Sequence, residues 1–298
     1  MEPLLRALDL AKSFRGRAVL QGLCLNVPAG SVYGLLGLNG SGKTTTLRIL
    51  TGLLRADRGR VELEGRPLAG ASARAGLAAV VDAPSFVPAL SAKDNVKGHA
   101  RLHGQSGCDA EAELLSLGLD PGDRRAVRSY SLGMKQRLAL AMALATHPRL
   151  LILDEPANGL DPAGMAALRA LLPRLAAERG VTILLSSHLL DEVEHCCTHV
   201  GILRAGHVSV EAPLRELQQR AGWRVAARDA EALQRVATRA WPRARVEAQP
   251  DGCLITNCDE PAEKVLQTLV GAGLELTHFA RARVLETVLL QQDDSQSS

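Results

Sequence analysis

The chain has 298 residues, enough for about two domains, with 46% hydrophobic and 22% charged residues, the balance of a chain that folds around a core. Thirty-five basic against 32 acidic residues leave a net charge of +3, and aromatics make up 2%, which argues against a nucleic-acid binder. No apolar stretch reaches the ~20 residues of a membrane span, Met1-Glu2-Pro3 opens no signal peptide, and six cysteines without a C-x-x-C pair read as reduced cytosolic thiols, not a zinc site.

In chain order, residues 3–30 alternate apolar and polar positions around turn signals such as Pro28-Ala29-Gly30. With Val61-Glu62-Leu63-Glu64-Gly65 they predict an antiparallel sheet beside the core. Val32-Tyr33-Gly34-Leu35-Leu36 predicts a buried strand. It leads into Gly37-Leu38-Asn39-Gly40-Ser41-Gly42-Lys43-Thr44, which fits G-x-x-x-x-G-K-[ST], and Thr45 opens a helical run to Leu50. Glycines let such a loop turn its N–H groups onto an anion, and the helix N-terminus adds partial positive charge. Lys43 then reaches the β- and γ-phosphates of a nucleotide, and the Thr44 hydroxyl reaches Mg²⁺.

Leu77-Ala78-Ala79-Val80-Val81 predicts another strand, followed by Asp82. Residues 84–145 read as mainly helical, with Ser91 and Asp94 spaced as a capping box that uses Asp for the usual Glu or Gln. Leu150-Leu151-Ile152-Leu153 is an apolar run suited to a strand covered on both faces, and it ends in Asp154-Glu155-Pro156. Carboxylates at such a strand end suit a Mg²⁺ ligand (Asp154) and a general base (Glu155). A helix N-cap with a dipole-favoured acid is the other reading. The strand Val181-Thr182-Ile183-Leu184-Leu185 precedes Ser186-Ser187-His188, and Gly201 to Val208 reads as a closing hairpin.

From about Gln218 the rhythm changes. Strands are predicted at Trp223–Ala226, Arg245–Ala248, Cys253–Thr256 and Leu274–His278, with helices at Asp229–Ala240 and Asp259–Val270. The order β-α-β-β-α-β suggests a small ferredoxin-like domain. The polar tail 291–298 is expected to be disordered.

Ser129-Tyr130-Ser131-Leu132-Gly133-Met134-Lys135-Gln136 resembles the signature of the ATP-binding cassette (ABC) ATPases. It departs from the common form at Tyr130, Leu132 and Met134 and keeps Ser131 and Gly133. Taken without the family, Ser131 is an N-cap and His188 a surface or capping residue. The resemblance covers about residues 3–215 and implies a P-loop NTPase cassette of the α/β class. That cassette has a RecA-like core, an antiparallel β subdomain and a helical subdomain at about 84–145. The expected division is a nucleotide-binding domain at 1–217, an accessory α+β domain at 218–290 and the tail at 291–298. Arg283 to Leu290 resembles a closing helix of drug-exporter ATPases.

The resemblance also implies roles. Asn158-Gly159-Leu160-Asp161-Pro162 matches the loop that crosses to a second subunit, and His188 matches the switch histidine. Ser131 and Gly133 are expected on the γ-phosphate of a partner's ATP, and Thr45 with the loop. Phe14 stands where the family stacks an aromatic on adenine, with a core phenylalanine as the alternative. Asp82 replaces a Gln expected near Mg²⁺. That replacement and the Tyr-Ser-Leu-Gly-Met signature resemble the branch that handles bacitracin-like peptides, lantibiotics and drugs.

The implied protein is an ATP-hydrolysing ABC transporter subunit, using ATP and Mg²⁺ and exporting a peptide antibiotic, drug or other amphiphile. Its expected partners are a separate permease, met through Pro84 to Gly98, and a second ATPase subunit, identical or homologous. It would sit in the cytoplasm on the inner face of the membrane, with no nucleic acid bound. An importer, a lipid transporter or a soluble non-transport ABC ATPase are the alternatives. The presence of Lys43, Asp154, Glu155 and His188 together argues against an inactive cassette.

Overall fold

Apolar alternation along the first residues produces β1 (Pro3–Phe14) and β2 (Arg17–Pro28), paired antiparallel. In the computed structural model the described residues are 3–68, 76–82, 86–219, 222–256, 258, 260–282 and 285. The chain divides into two compact units, Met1–Ala212 and Pro213–Ser298.

In the first unit β3 (Val32–Leu36) is buried at every residue and runs into α1 (Lys43–Leu50). β4 (Arg58–Leu63) and β5 (Arg66–Pro67) complete an antiparallel sheet of order β2-β1-β4-β5. β6 (Leu77–Val80) precedes the helical region of α2 (Ala92–Leu102), α3 (Ala110–Ser116) and α4 (Leu132–Leu144). β7 (Leu150–Asp154), α5 (Pro162–Arg179), β8 (Thr182–Ser187), α6 (Leu190–Cys196), β9 (His199–Arg204) and β10 (His207–Pro213) follow. The second sheet has the order β10-β9-β3-β8-β7-β6, and β9, β3, β8, β7 and β6 pair in parallel. Strands covered on both faces need continuous apolar runs, which β3, β7 and β8 supply.

Helix starts follow their capping residues. Ser131 accepts from the Met134 N–H at the head of α4, and Asp161 accepts from the Gly164 N–H at the head of α5, with Pro162 next. Ser91 caps α2 as expected, but Asp94 bonds the Ser91 hydroxyl at 2.6 Å rather than reaching back to a backbone N–H. Aspartate is one methylene shorter than the glutamate of an ordinary capping box. Cys24, Cys108, Cys196, Cys197, Cys253 and Cys258 all carry free thiols. Among the described residues no helix is long and apolar enough to cross a membrane.

The second unit contains α7 (Leu214–Gln219), β11 (Trp223–Ala227), α8 (Ala230–Ala240), β12 (Arg245–Gln249), β13 (Gly252–Thr256), α9 (Ala262–Gly271) and β14 (Leu276–Arg281). Its antiparallel sheet has the order β12-β13-β11-β14, with the first and third strands central, as in a ferredoxin-like sheet. Leu233 and Ala237 of α8 and Val265 and Leu269 of α9 pack on Trp223, Val225, Cys253 and Ile255.

Two elements of this unit start two residues or more from their expected places. α9 starts after Pro261, which occupies the extended N-cap position instead of the first turn. β14 begins two residues late, because Gly273 at φ +81° turns the chain after α9, and it extends to pair Arg281 with Trp223. α7 was not anticipated. Of the expected helix Arg283 to Leu290 only Leu285 lies within the described residues, and the tail 291–298 lies outside them.

Tyr33 is fully buried, and its hydroxyl donates to Glu211 Oε1 at 2.8 Å. A Cβ at Gly201 would lie 2.2 Å from that hydroxyl. Gly201→Ala therefore forces the phenol off its acceptor in a core that cannot relax freely, and it should cost about 1–3 kcal/mol. Urea unfolding of the purified chain checks this; a midpoint equal to that of the unsubstituted protein contradicts it.

Candidate nucleotide site

The register of the parallel sheet creates the site. Leu36 of β3 lies opposite Ser187 of β8, and Asp154 of β7 lies opposite Ser186. Three strands thus end at one edge, where ligands gather in sheets of this kind. The loop after β3 is tied to that edge, since Gly37 N–H donates to the Ser187 carbonyl at 3.3 Å. Gly42 then heads α1 at φ +109°, and a Cβ there would meet Leu20 Cδ2 at 2.8 Å. Only glycine satisfies both the left-handed backbone and the space.

Lys43 is 6% exposed and folds back under its own loop. Its ammonium donates to the carbonyls of Gly37 at 2.7 Å and Leu38 at 3.3 Å, and it pairs with Glu155 Oε1 at 3.1 Å. Ser41 Oγ is buried without a hydrogen-bond partner. A Cβ at Gly37 would fall 2.6 Å from Ser41 Oγ and 2.7 Å from the Leu203 carbonyl, so the cradle depends on bare backbone. An unsatisfied hydroxyl, a buried cation and a helix N-terminus fit a phosphate chain. Asn39 and Gly40 form the exposed tip, and Thr44 and Thr45 stand on the first turn of α1.

Ser186 binds the two acidic residues together. Its hydroxyl donates to Asp154 Oδ1 at 2.6 Å and accepts from the Glu155 N–H at 2.9 Å. Glu155 has φ +47°, a left-handed conformation rare outside glycine. Its remaining oxygen, Oε2, lies 2.7 Å from His188 Nδ1. The Glu155 carboxylate therefore bridges Lys43 and His188.

The other anticipated residues make separate contacts. Phe14 at the end of β1 is 44% exposed, with Lys12 Nζ 5.6 Å from its ring centroid, so it is not a core residue. Ser131 and Asp161 spend their side chains on helix caps, and Leu160 Cδ2 lies 3.7 Å from a Cβ position at Gly133. Asp82 has φ +63° and gives both carboxylate oxygens to Arg48 of α1, at 2.5 Å from Nη2 and 3.2 Å from Nε. That bond holds the Arg48 pKa above its usual value, and Asp154 adds to the effect from nearby.

Four residues of this surround were not singled out by sequence reasoning. Ser186 and Ser187 entered only as neighbours of His188, Arg48 as part of a helix, and Glu192 not at all. The one sequence signal was a pair of hydroxyls at the end of an apolar strand, followed by an acid four residues after His188.

A family model described as ABC transporter matches residues 20–158. The chain is 40% identical over 223 residues to the bacitracin transport ATP-binding protein of Bacillus licheniformis, covering 74% of this chain and 73% of that one. It is 40% identical over 208 residues to the lantibiotic transport ATP-binding protein of Streptococcus pyogenes, covering 70% and 90%. A solved ATP binding subunit of an ABC transporter is similar at a TM-score of 0.62 and 31% identity, over 72% of this chain and 92% of that one. With a glycine-rich loop, paired acids and a histidine at one sheet edge, the chain belongs to the ABC transporter ATPases and is an ATP-binding, ATP-hydrolysing subunit of a transporter.

Proposed function

We propose that this subunit drives export of a peptide antibiotic, a drug or another amphiphile through a separate membrane permease. The observation that carries this reading is the 40% identity to bacitracin and lantibiotic transport ATP-binding proteins over most of the chain. The subunit works on the inner face of the membrane as a dimer, with a second copy or a homologous ATPase. Val87 and Leu90, large apolar side chains left exposed ahead of α2, suit contact with the permease.

In this reading Lys43 and the amides of Gly37 to Thr45 hold the β- and γ-phosphates of ATP, and Phe14 stacks on its base. Ser131 and Gly133 face the γ-phosphate held by the partner subunit, and Asp161 crosses the same interface. The Thr44 hydroxyl and Asp154 would hold Mg²⁺. One or two protein oxygens suffice, because that ion takes its other ligands from phosphate and water. Once bound, the ion neutralises charge on the transferring phosphoryl group. Glu155 takes the proton of the attacking water, and His188 keeps the accepting carboxylate aimed. Proton transfer by a positioned base contributes roughly 10²–10⁴-fold. Glu155→Gln keeps the shape and loses the base. It should lower ATP turnover by about that factor while still binding ATP; turnover near that of the unsubstituted protein in a preparation free of contaminating ATPase rejects the assignment.

Asp82 reaches the Mg²⁺ shell only by exchanging Arg48 for the ion or its waters. Asp82→Asn, which weakens the attraction to both cations, should shift the Mg²⁺ concentration for half-maximal hydrolysis. Asp82→Gln should stay active. Identical Mg²⁺ titrations for all three proteins would leave Asp82 as the ion-pair partner of Arg48 alone.

The direction of transport is tested in cells. Deleting the gene should raise sensitivity to at least one of a lantibiotic, a bacitracin-like peptide and an anthracycline-like drug, and a copy carrying Glu155→Gln should not restore resistance. Unchanged sensitivity to all three, with lost uptake of a nutrient, would make the subunit part of an importer.

A further inference from the structure

Glu192 lies on the first turn of α6 and is 2% exposed. Its Oε2 accepts from the Ser187 hydroxyl at 2.5 Å, and the same hydroxyl accepts from the Leu189 N–H at 3.0 Å. The Ser187 carbonyl holds Gly37 at the root of the phosphate loop, and the residue after Ser187 is His188. One side chain therefore anchors the peptide that fastens the loop on one side and presents the histidine on the other. Burial is the main cause that raises the Glu192 pKa and Glu155 adds to the rise, while the hydrogen bond from Ser187, then Arg169 and His188, oppose it. Glu192 Oε1 and Arg169 Nε are both buried without hydrogen-bond partners.

We infer that Glu192 is a positioning residue for hydrolysis: through the Ser187 hydroxyl it fixes the turn that carries His188, and so sets the grip of His188 on the Glu155 carboxylate. The inference rests on the switch role proposed for His188.

A purely local role competes with it. Leu189 heads α6 with no side chain able to cap it, and an acid at the third helical position commonly reaches back to that N–H. Here the Ser187 hydroxyl stands between the two, so Glu192 is also part of a cap. A cap alone would stabilise α6 equally whether or not His188 is present. Positioning acts only while there is a histidine to position.

The test is a double-mutant cycle on the purified full chain, reading kcat and the KM for ATP by phosphate release. Glu192→Leu should lower kcat roughly 10- to 100-fold, the effect expected when a reacting group is misplaced, with KM changed by less than about twofold. Glu192→Gln keeps an acceptor for Ser187 and should restore most of kcat. In the His188→Ala background, Glu192→Leu should change the residual rate by less than about twofold. Ser187→Ala breaks the same bond without opening a large cavity, so it stands in if Glu192→Leu does not fold, and it should show the same loss and the same dependence on His188.

An equal loss in both backgrounds, or Ser187→Ala with an unchanged kcat, overturns the inference and leaves the switch role of His188 standing. A His188→Ala protein with an unchanged kcat overturns both.

Discussion

The pairing of Leu36 with Ser187 and of Asp154 with Ser186 is the constraint on which the rest depends. In a parallel sheet the register is enforced by side chains far from the edge. Leu151, Ile152 and Leu153 of β7 and Ile183, Leu184 and Leu185 of β8 are all buried. A slip of one residue would turn each of them to the opposite face and carry Asp154 away from Ser186. The packing that stabilises the sheet is therefore also what brings the acids, the loop and the histidine together.

The centre of the site is costly by itself. A buried ammonium must be paired or hydrogen-bonded, and Lys43 meets that demand with two loop carbonyls and Glu155. Glu155 in turn sits at a positive φ, a conformation that costs about 1–3 kcal/mol in a residue other than glycine. Both costs are offset by the apolar core around them, where Leu35, Leu47, Leu50, Ile152 and Leu184 belong to one buried cluster. Removing one member of Lys43, Glu155 and His188 leaves the others with unmatched charge or hydrogen-bonding capacity, so the three should respond to substitution as a unit.

Much of this was legible because a few residues carry strong local rules. The apolar run Val32 to Leu36 is β3 to the residue, and Leu150 to Asp154 is β7. Glycines and Lys43 at fixed spacing after a strand allow few readings, and the β-α-β-β-α-β rhythm of the later chain is the order observed. What stayed hidden was long-range. Sheet order places β8 between β3 and β7 although β3 lies more than a hundred residues before either of them in the chain, and no local pattern encodes that. Ser186 looks like any strand-end hydroxyl until register sets it against Asp154. Arg48 looks like a helix surface residue until Asp82 arrives from the segment after β6. Phe14 could have been core or surface, because one aromatic at a strand end carries no periodicity.

Four carboxylates around this edge have the same chemistry and four environments. Asp82 is exposed and satisfied by a guanidinium. Asp154 accepts from a serine hydroxyl with its other oxygen left for further ligands. Glu155 is held between an ammonium and an imidazole, with both oxygens engaged. Glu192 is enclosed in the protein, where burial disfavours its charge. Environments that give like groups different partners are how one fold divides labour among them. The exposed acid can exchange partners at little cost, the strand-end acid can meet a cation, and the bridged acid is aimed by the groups on either side. The enclosed acid can act only through what it holds, which is the hydroxyl beside the histidine.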